Sequence, residues 1–252
     1  MYHSVSASAQ PDRYTVSAAE FEKQMHSLRD SGYRVLSLAE TLIKLEEPES
    51  SQRNFVCLTF DDGFRGAYQF AAPILRRFDY PAIFFLVSGL MGTSNRWDEG
   101  QKADGEVRLM SWTEARELLD AGFDIGSHTV NHLILPEISK ARATEEIRRC
   151  KLDVEAKLGI AVQYFAYPYG RFSGPIRDLV CEAGYAAACS TLSGFANRDN
   201  DRFALRRIEI FGSDSLNVFN RKVKFGANEM SSGEVFRYYV KRTIARFVPP
   251  AG

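Results

Sequence analysis

Cysteine is scarce in this chain, and its spacing carries no motif. Among 252 residues there are four, Cys57, Cys150, Cys181 and Cys189, and no two form a Cys-x-x-Cys pair. That argues against a disulfide-stapled scaffold or a zinc ribbon and predicts reduced thiols. Net charge is missing too, because 32 Lys and Arg balance 32 Asp and Glu. No global field is available to recruit nucleic acid, so none is expected as a partner. No apolar run approaches the roughly 18 residues that a membrane span needs. Residues 1–6 have neither a basic n-region nor an apolar h-region, which predicts a cytoplasmic chain. Histidine is rare as well: His3, His26, His128 and His132 are the full set. Any imidazole chemistry must draw on those four.

What is present reads as one large α/β domain. Residues 54–60, 81–87, 123–126, 164–167, 185–189 and 204–210 are short apolar runs of strand character. Between them lie helical patterns at 64–78, 112–121, 139–158 and 175–183, the last three closed by Gly122, Gly159 and Gly184. Continuous apolar strands alternating with helices predict a parallel sheet covered by helices. A doubly wound sheet and a closed barrel satisfy the pattern equally. The long loop at 88–110 holds Trp97 and is either a site wall or a plain surface excursion. The C-terminal stretch differs in charge. Residues 221–252 carry seven basic and two acidic side chains, and 237–247 has the pattern of a basic amphipathic helix. It reads as a tail beyond a 1–220 domain: a solvated helix packed on the body, or a peripheral membrane or partner contact.

Three short motifs follow strands. Thr59-Phe60-Asp61-Asp62-Gly63 puts two carboxylates at a strand's C-terminal end, where α/β proteins build their sites. Alternation would point them to opposite sides unless the backbone turns, and Gly63 permits a turn. A helix-capping Asp-Asp-Gly turn is the plainer reading. His128 and His132 are spaced i, i+4, which on one helical turn brings two imidazoles to one metal ion. Two imidazoles and a carboxylate would leave open positions, as a catalytic metal requires. Tyr167-Pro168-Tyr169-Gly170 follows a third strand; it is a simple turn, or a place where backbone approaches a ligand and an amide N–H meets an oxyanion.

Taken together and in this order, the three motifs resemble those of the polysaccharide deacetylases of the NodB-homology type, carbohydrate esterase family 4. The likeness runs from about Tyr2 to Ile210. It implies a distorted, incomplete (β/α) barrel. It also implies removal of N-acetyl groups from a glycan, polymeric or lipid-linked, with a divalent metal that is most often Zn2+. Carried over by residue, it makes Asp61 the catalytic base, makes Asp62, His128 and His132 the metal ligands, and makes the Tyr169 amide an oxyanion donor.

Two positions depart from the family pattern. Ala166 stands where many members carry an Arg that orients the catalytic Asp. Leu205-Arg206-Arg207 stands where many carry a late Leu-x-His that supplies the general acid, and Arg does not give up a proton near neutral pH. With His128 and His132 assigned to metal and His26 inside a helical pattern, His3 is the remaining imidazole. It lies on the expected first strand and is the candidate acid. Two other functions stay open: an amidase or deformylase on the same fold, and a sugar-binding module that has lost its chemistry.

Overall fold

The computed structural model describes residues 1–7, 13–47, 54–95, 97 and 107–228. In chain order its elements are β1 (Ser4–Ser6), β2 (Thr15–Ser17), α1 (Ala18–Asp30), β3 (Arg34–Val35), α2 (Leu38–Glu46), β4 (Phe55–Val56), β5 (Thr59–Phe60), α3 (Ala72–Phe78), β6 (Ile83–Leu86), α4 (Trp112–Asp120), β7 (Asp124–Ser127), α5 (Lys140–Leu158), β8 (Tyr164–Ala166), α6 (Gly174–Glu182), β9 (Ala187–Cys189) and α7 (Leu216–Phe225). Serine starts most of these helices. Ser17, Ser37, Ser111, Ser139 and Ser215 each accept a backbone N–H from the first turn of the helix they precede. Ser37 and Ser111 close full capping boxes with Glu40 and Glu114. Each cap contributes about 1 kcal/mol and sets where its helix begins.

Strands β5 to β9 form one parallel sheet in sequence order. The ladder continues beyond both edges through irregular segments. On one side Leu205 bridges Cys189 of β9, and Met1 exchanges backbone bonds with Ile208 and Ile210. On the other, Tyr2 donates to Thr59 O and accepts from Asp61 N. The result is the distorted, incomplete (β/α) barrel expected. The even choice between doubly wound sheet and barrel is settled by these two bridging segments, which the apolar pattern does not distinguish from ordinary strands.

Alternation along β6 divides the core. Phe84 and Leu86 join the large cluster with Tyr2, Phe60, Ile125 and Phe165. Ile83 and Phe85 join a smaller one with Ala166, Ala187, Cys189 and Leu205. The smaller cluster sets the short Ala166, Ala187 and Cys189 beside the larger Ile83, Phe85 and Leu205, a mix of small and large side chains that fills a narrow barrel interior. α2 adds Leu38 and Leu45 to it, near Phe55 and Cys57, at the end where the chain enters β5. The opposite end, past the strand C-termini, is left for the site.

Several local expectations need correction. The strand read at 54–60 is two strands: Phe55–Val56 pairs with β3 and Thr59–Phe60 with β6. Its first half needs a partner for β3 and its second half belongs to the barrel. The strand read at 204–210 is no regular strand and joins β9 by the single bridge at Leu205. The helical pattern at 64–78 contains a π-helical stretch at Ala67–Ala71 before α3. α7 runs from Leu216 to Phe225, and Lys222 within it is buried against Asp214 at 2.5 Å. The amphipathic stretch at 237–247 lies outside the described residues. Among the described residues no helix is long and apolar enough to cross a membrane.

Candidate active site

Both carboxylates of the Asp-Asp-Gly turn come to the mouth of the barrel. The turn is made by the backbone at Asp62 (φ 71°) and Gly63 (φ 69°). Asp tolerates this left-handed region better than most side chains. It is the bend the alternation argument required, and it lets Asp61 and Asp62 serve one site from adjacent positions.

Asp62 meets the two histidines. Its Oδ1 lies 3.2 Å from His128 Nε2 and 3.1 Å from His132 Nε2, and all three residues are buried. Nδ1 of His128 lies 2.7 Å from Ala166 O. A carbonyl accepts only, so Nδ1 carries the proton and, in the neutral ring, Nε2 presents a lone pair toward Asp62. His132 Nδ1 is buried with no hydrogen-bond partner among the described residues, and the ligand atoms of Asp62, His128 and His132 lie within 4.8 Å of one another, a donor set that suits a cation. Burial pulls the carboxyl of Asp62 upward, but the charge of His132 and the bonds from both imidazoles outweigh it and hold it well below the usual range. For His128 burial works against the charged ring, yet the Asp62 bond and the two nearby carboxylates raise its pKa. For His132 burial wins and the pKa falls.

The i, i+4 spacing does not act through a helix, which corrects the expectation. Residues 128–132 form a turn in which Thr129 (φ 66°) and His132 (φ 57°) are left-handed. The Thr129 hydroxyl accepts the His132 N–H at 3.0 Å. A β-branched residue at positive φ is a strained conformation, of order 1–3 kcal/mol, and persists only where its surroundings hold it.

Asp61 is gripped by Arg207. Nη1 donates to Oδ1 and Nη2 to Oδ2, each at 2.7 Å. The guanidinium also donates to Thr59 Oγ1 at 3.1 Å and Ser190 O at 2.8 Å. The side chains are 6% and 4% exposed, so this is a desolvated two-pronged pair. Burial raises the Asp61 pKa, but the Arg207 charge and hydrogen bonds more than offset it and the pKa ends below its ordinary value. Arg207, on a different stave from Ala166, thus holds both oxygens of the Asp61 carboxylate. Leu205, two residues before Arg207, packs with Ile83 and Phe85 in the smaller core cluster.

Two aromatic rings wall the site. Trp97 lies 4.2 Å from His132 and Tyr169 4.6 Å from it, centroid to centroid. The long loop is therefore a site wall at Trp97. A cavity of about 550 Å3 runs along this wall past Leu90, Leu133, Ile134 and Tyr169. Tyr169 is held at φ 56° in the short turn Pro168–Gly170. Gly170 (φ 64°) has no room for a side chain, because a Cβ there would collide with Thr191. His3 packs on Tyr14, with ring centroids 4.8 Å apart, and its buried Nδ1 has no hydrogen-bond partner among the described residues. His26 lies on α1, exposed, with Nδ1 2.9 Å from Arg29 Nη2, and takes no part.

The polysaccharide deacetylase family model matches residues 49–188, more than half of the chain. The chain belongs to the polysaccharide deacetylase family. The YxkH protein of Bacillus subtilis (strain 168) is 27% identical over 224 residues, covering 89% of this chain and 75% of YxkH. The poly-β-1,6-N-acetyl-D-glucosamine N-deacetylase of Escherichia coli (strain K12) is 24% identical over 253 residues, covering 88% of this chain but 38% of that protein. Among solved structures, the Streptococcus pyogenes deacetylase PplD in complex with acetate aligns with a TM-score of 0.73 at 26% identity, covering 88% of this chain and 95% of that one. IcaB from Ammonifex degensii aligns at 0.71 and 26%, covering 86% and 92%. The deacetylase fold and the family reading of the motifs therefore agree.

Proposed function

We propose that this polysaccharide deacetylase is a metal-dependent hydrolase that removes N-acetyl groups from a glycan, with Asp62, His128 and His132 holding one divalent cation, Zn2+ by preference. The observation that carries the reading is the convergence of both imidazole Nε2 atoms on Asp62 Oδ1, beside the Asp61–Arg207 pair. Two nitrogens and one oxygen form a donor set that suits Zn2+ and leaves room for water and substrate. When bound, the cation would act as a Lewis acid on the acetamide carbonyl and make water more acidic.

The chain's own residues would do the rest. Asp61 accepts a proton from the attacking water, with Arg207 fixing the angle of its carboxylate. The Tyr169 amide N–H donates to the oxygen that gains charge as the carbonyl is attacked. His3 donates a proton to the departing amine, which leaves poorly without one. The Trp97 and Tyr169 rings shield His132 and flank the route to the carbonyl. A complete donor set beside a fixed base favours an enzyme over a sugar-binding module.

The names of the relatives favour poly-β-1,6-N-acetyl-D-glucosamine as the first polymer to test. The purified chain, loaded with Zn2+, should release acetate from oligomers of that polymer, and Asp61→Asn should not. Release of formate from an N-formyl sugar, with no acetate from any N-acetylated glycan, would replace this reading by the deformylase one.

A further inference from the structure

The turn that carries both histidines is strained, and something must hold it. Its backbone is accounted for on both sides. Thr129 O and Val130 O accept the N–H groups of Ser88 and Gly89 at 3.1 and 2.9 Å. On the other side the N–H groups of Val130 and Asn131 both donate to Glu146 Oε2, at 3.0 and 2.8 Å. Glu146 Oε1 accepts from Asn131 Nδ2 at 2.7 Å, and Arg142 Nη2 lies 2.8 Å from it. Glu146 sits in the second turn of α5, next to Ile147, whose side chain is in the core. Its side chain is 1% exposed. A fully buried carboxylate is costly, and here most of its hydrogen bonds go to the short stretch between two ligands.

Resting on the metal reading above, we infer that Glu146 is a positioning residue for the metal centre. Its carboxylate clamps residues 130–131 so that the left-handed turns at Thr129 and His132 persist and both Nε2 atoms meet at Asp62. It touches neither metal nor substrate and acts through the loop. α5 is anchored at the same level by core side chains and by its Ser139 cap, so the clamp is rigid at its base. Outer partners that orient metal ligands typically change metal affinity ten- to hundredfold when lost.

The test is Zn2+ affinity, measured by competition with a chromophoric chelator, together with the melting of each metal-free variant. Glu146→Ala removes both oxygens and should weaken Zn2+ about ten- to hundredfold. Glu146→Asp withdraws the carboxylate by one methylene and should weaken it in the same sense, which keeps the test valid if the alanine variant fails to fold. Glu146→Gln keeps one oxygen for the two backbone N–H groups, and Asn131 can turn its own oxygen toward the new amide. It should restore affinity to within a few-fold of wild type, a rescue that mere loss of packing would not show. Arg142→Ala leaves all three hydrogen bonds from the loop to Glu146 in place and should weaken Zn2+ far less than Glu146→Ala. Wild-type affinity in both Glu146→Ala and Glu146→Asp would overturn the inference while leaving the metal reading intact. A wild-type chain that binds no Zn2+ would overturn both.

Discussion

Replacing Arg207 with alanine removes the two-pronged contact that, in the proposed mechanism, fixes the base. The guanidinium makes two hydrogen bonds to Asp61 and one each to Thr59 and Ser190 O. Its loss leaves Asp61 desolvated and unpaired, a cost of about 3–5 kcal/mol. For a chain of this size each kcal/mol lowers Tm by about 2–4 °C, so thermal unfolding should shift down by about 6–20 °C. Turnover should also fall by about a hundredfold, because an unclamped carboxylate no longer meets water at a set angle. Arg207→Lys keeps the charge but cannot span both oxygens, and should lie between. The double variant Asp61→Asn with Arg207→Met should recover most of the lost Tm, since a buried ion pair is replaceable by neutral groups. It should remain inactive. Circular dichroism melting and acetate release measure the two effects separately. An Arg207→Ala protein that melts within about 2 °C of wild type and turns over normally would refute the claim that this pair holds the base.

Three further outcomes are expected. Asp61→Asn should keep its metal content and lose turnover by roughly 10²–10⁴-fold, the scale of a removed general base; metal loss instead would mean that the two carboxylates exchange roles. His3→Ala should cut turnover without changing metal content or Tm, and unchanged turnover would leave Asp61 as both base and acid. Gly170→Ala should cost more than about 1 kcal/mol, because φ is 64° and Thr191 occupies the space; an unshifted melting curve would show that the Thr191 loop yields freely.

Much of the site was legible because its residues sit where strands end. Asp61, Asp62, His128, His132 and Tyr169 each follow a run whose apolar character is plain. The geometry that unites them was less so. Residues 128–132 read as helical spacing, yet the turn is set by Thr129 and His132 at positive φ, conformations no propensity predicts for Thr. Arg207 and Glu146 were hidden for a common reason. Each acts across the fold, Arg207 on a residue 146 positions away and Glu146 on one 15 or 16 away, through hydrogen bonds rather than periodicity. The split of 54–60 between two strands was equally invisible, since partner exchange leaves no mark on an apolar run. The barrel itself rests on irregular segments at 1–3 and 205–210 whose pairing only the backbone reveals.

De-N-acetylation should require one divalent cation held by Asp62, His128 and His132. That requirement is tested most directly by stripping the protein with a chelator and titrating Zn2+ back while acetate release from an N-acetylated glycan is followed. The stripped protein should release no acetate, and release should rise to a plateau at one Zn2+ per chain, with His128→Ala flat over the same range. Full acetate release from protein verified to hold no metal would contradict it.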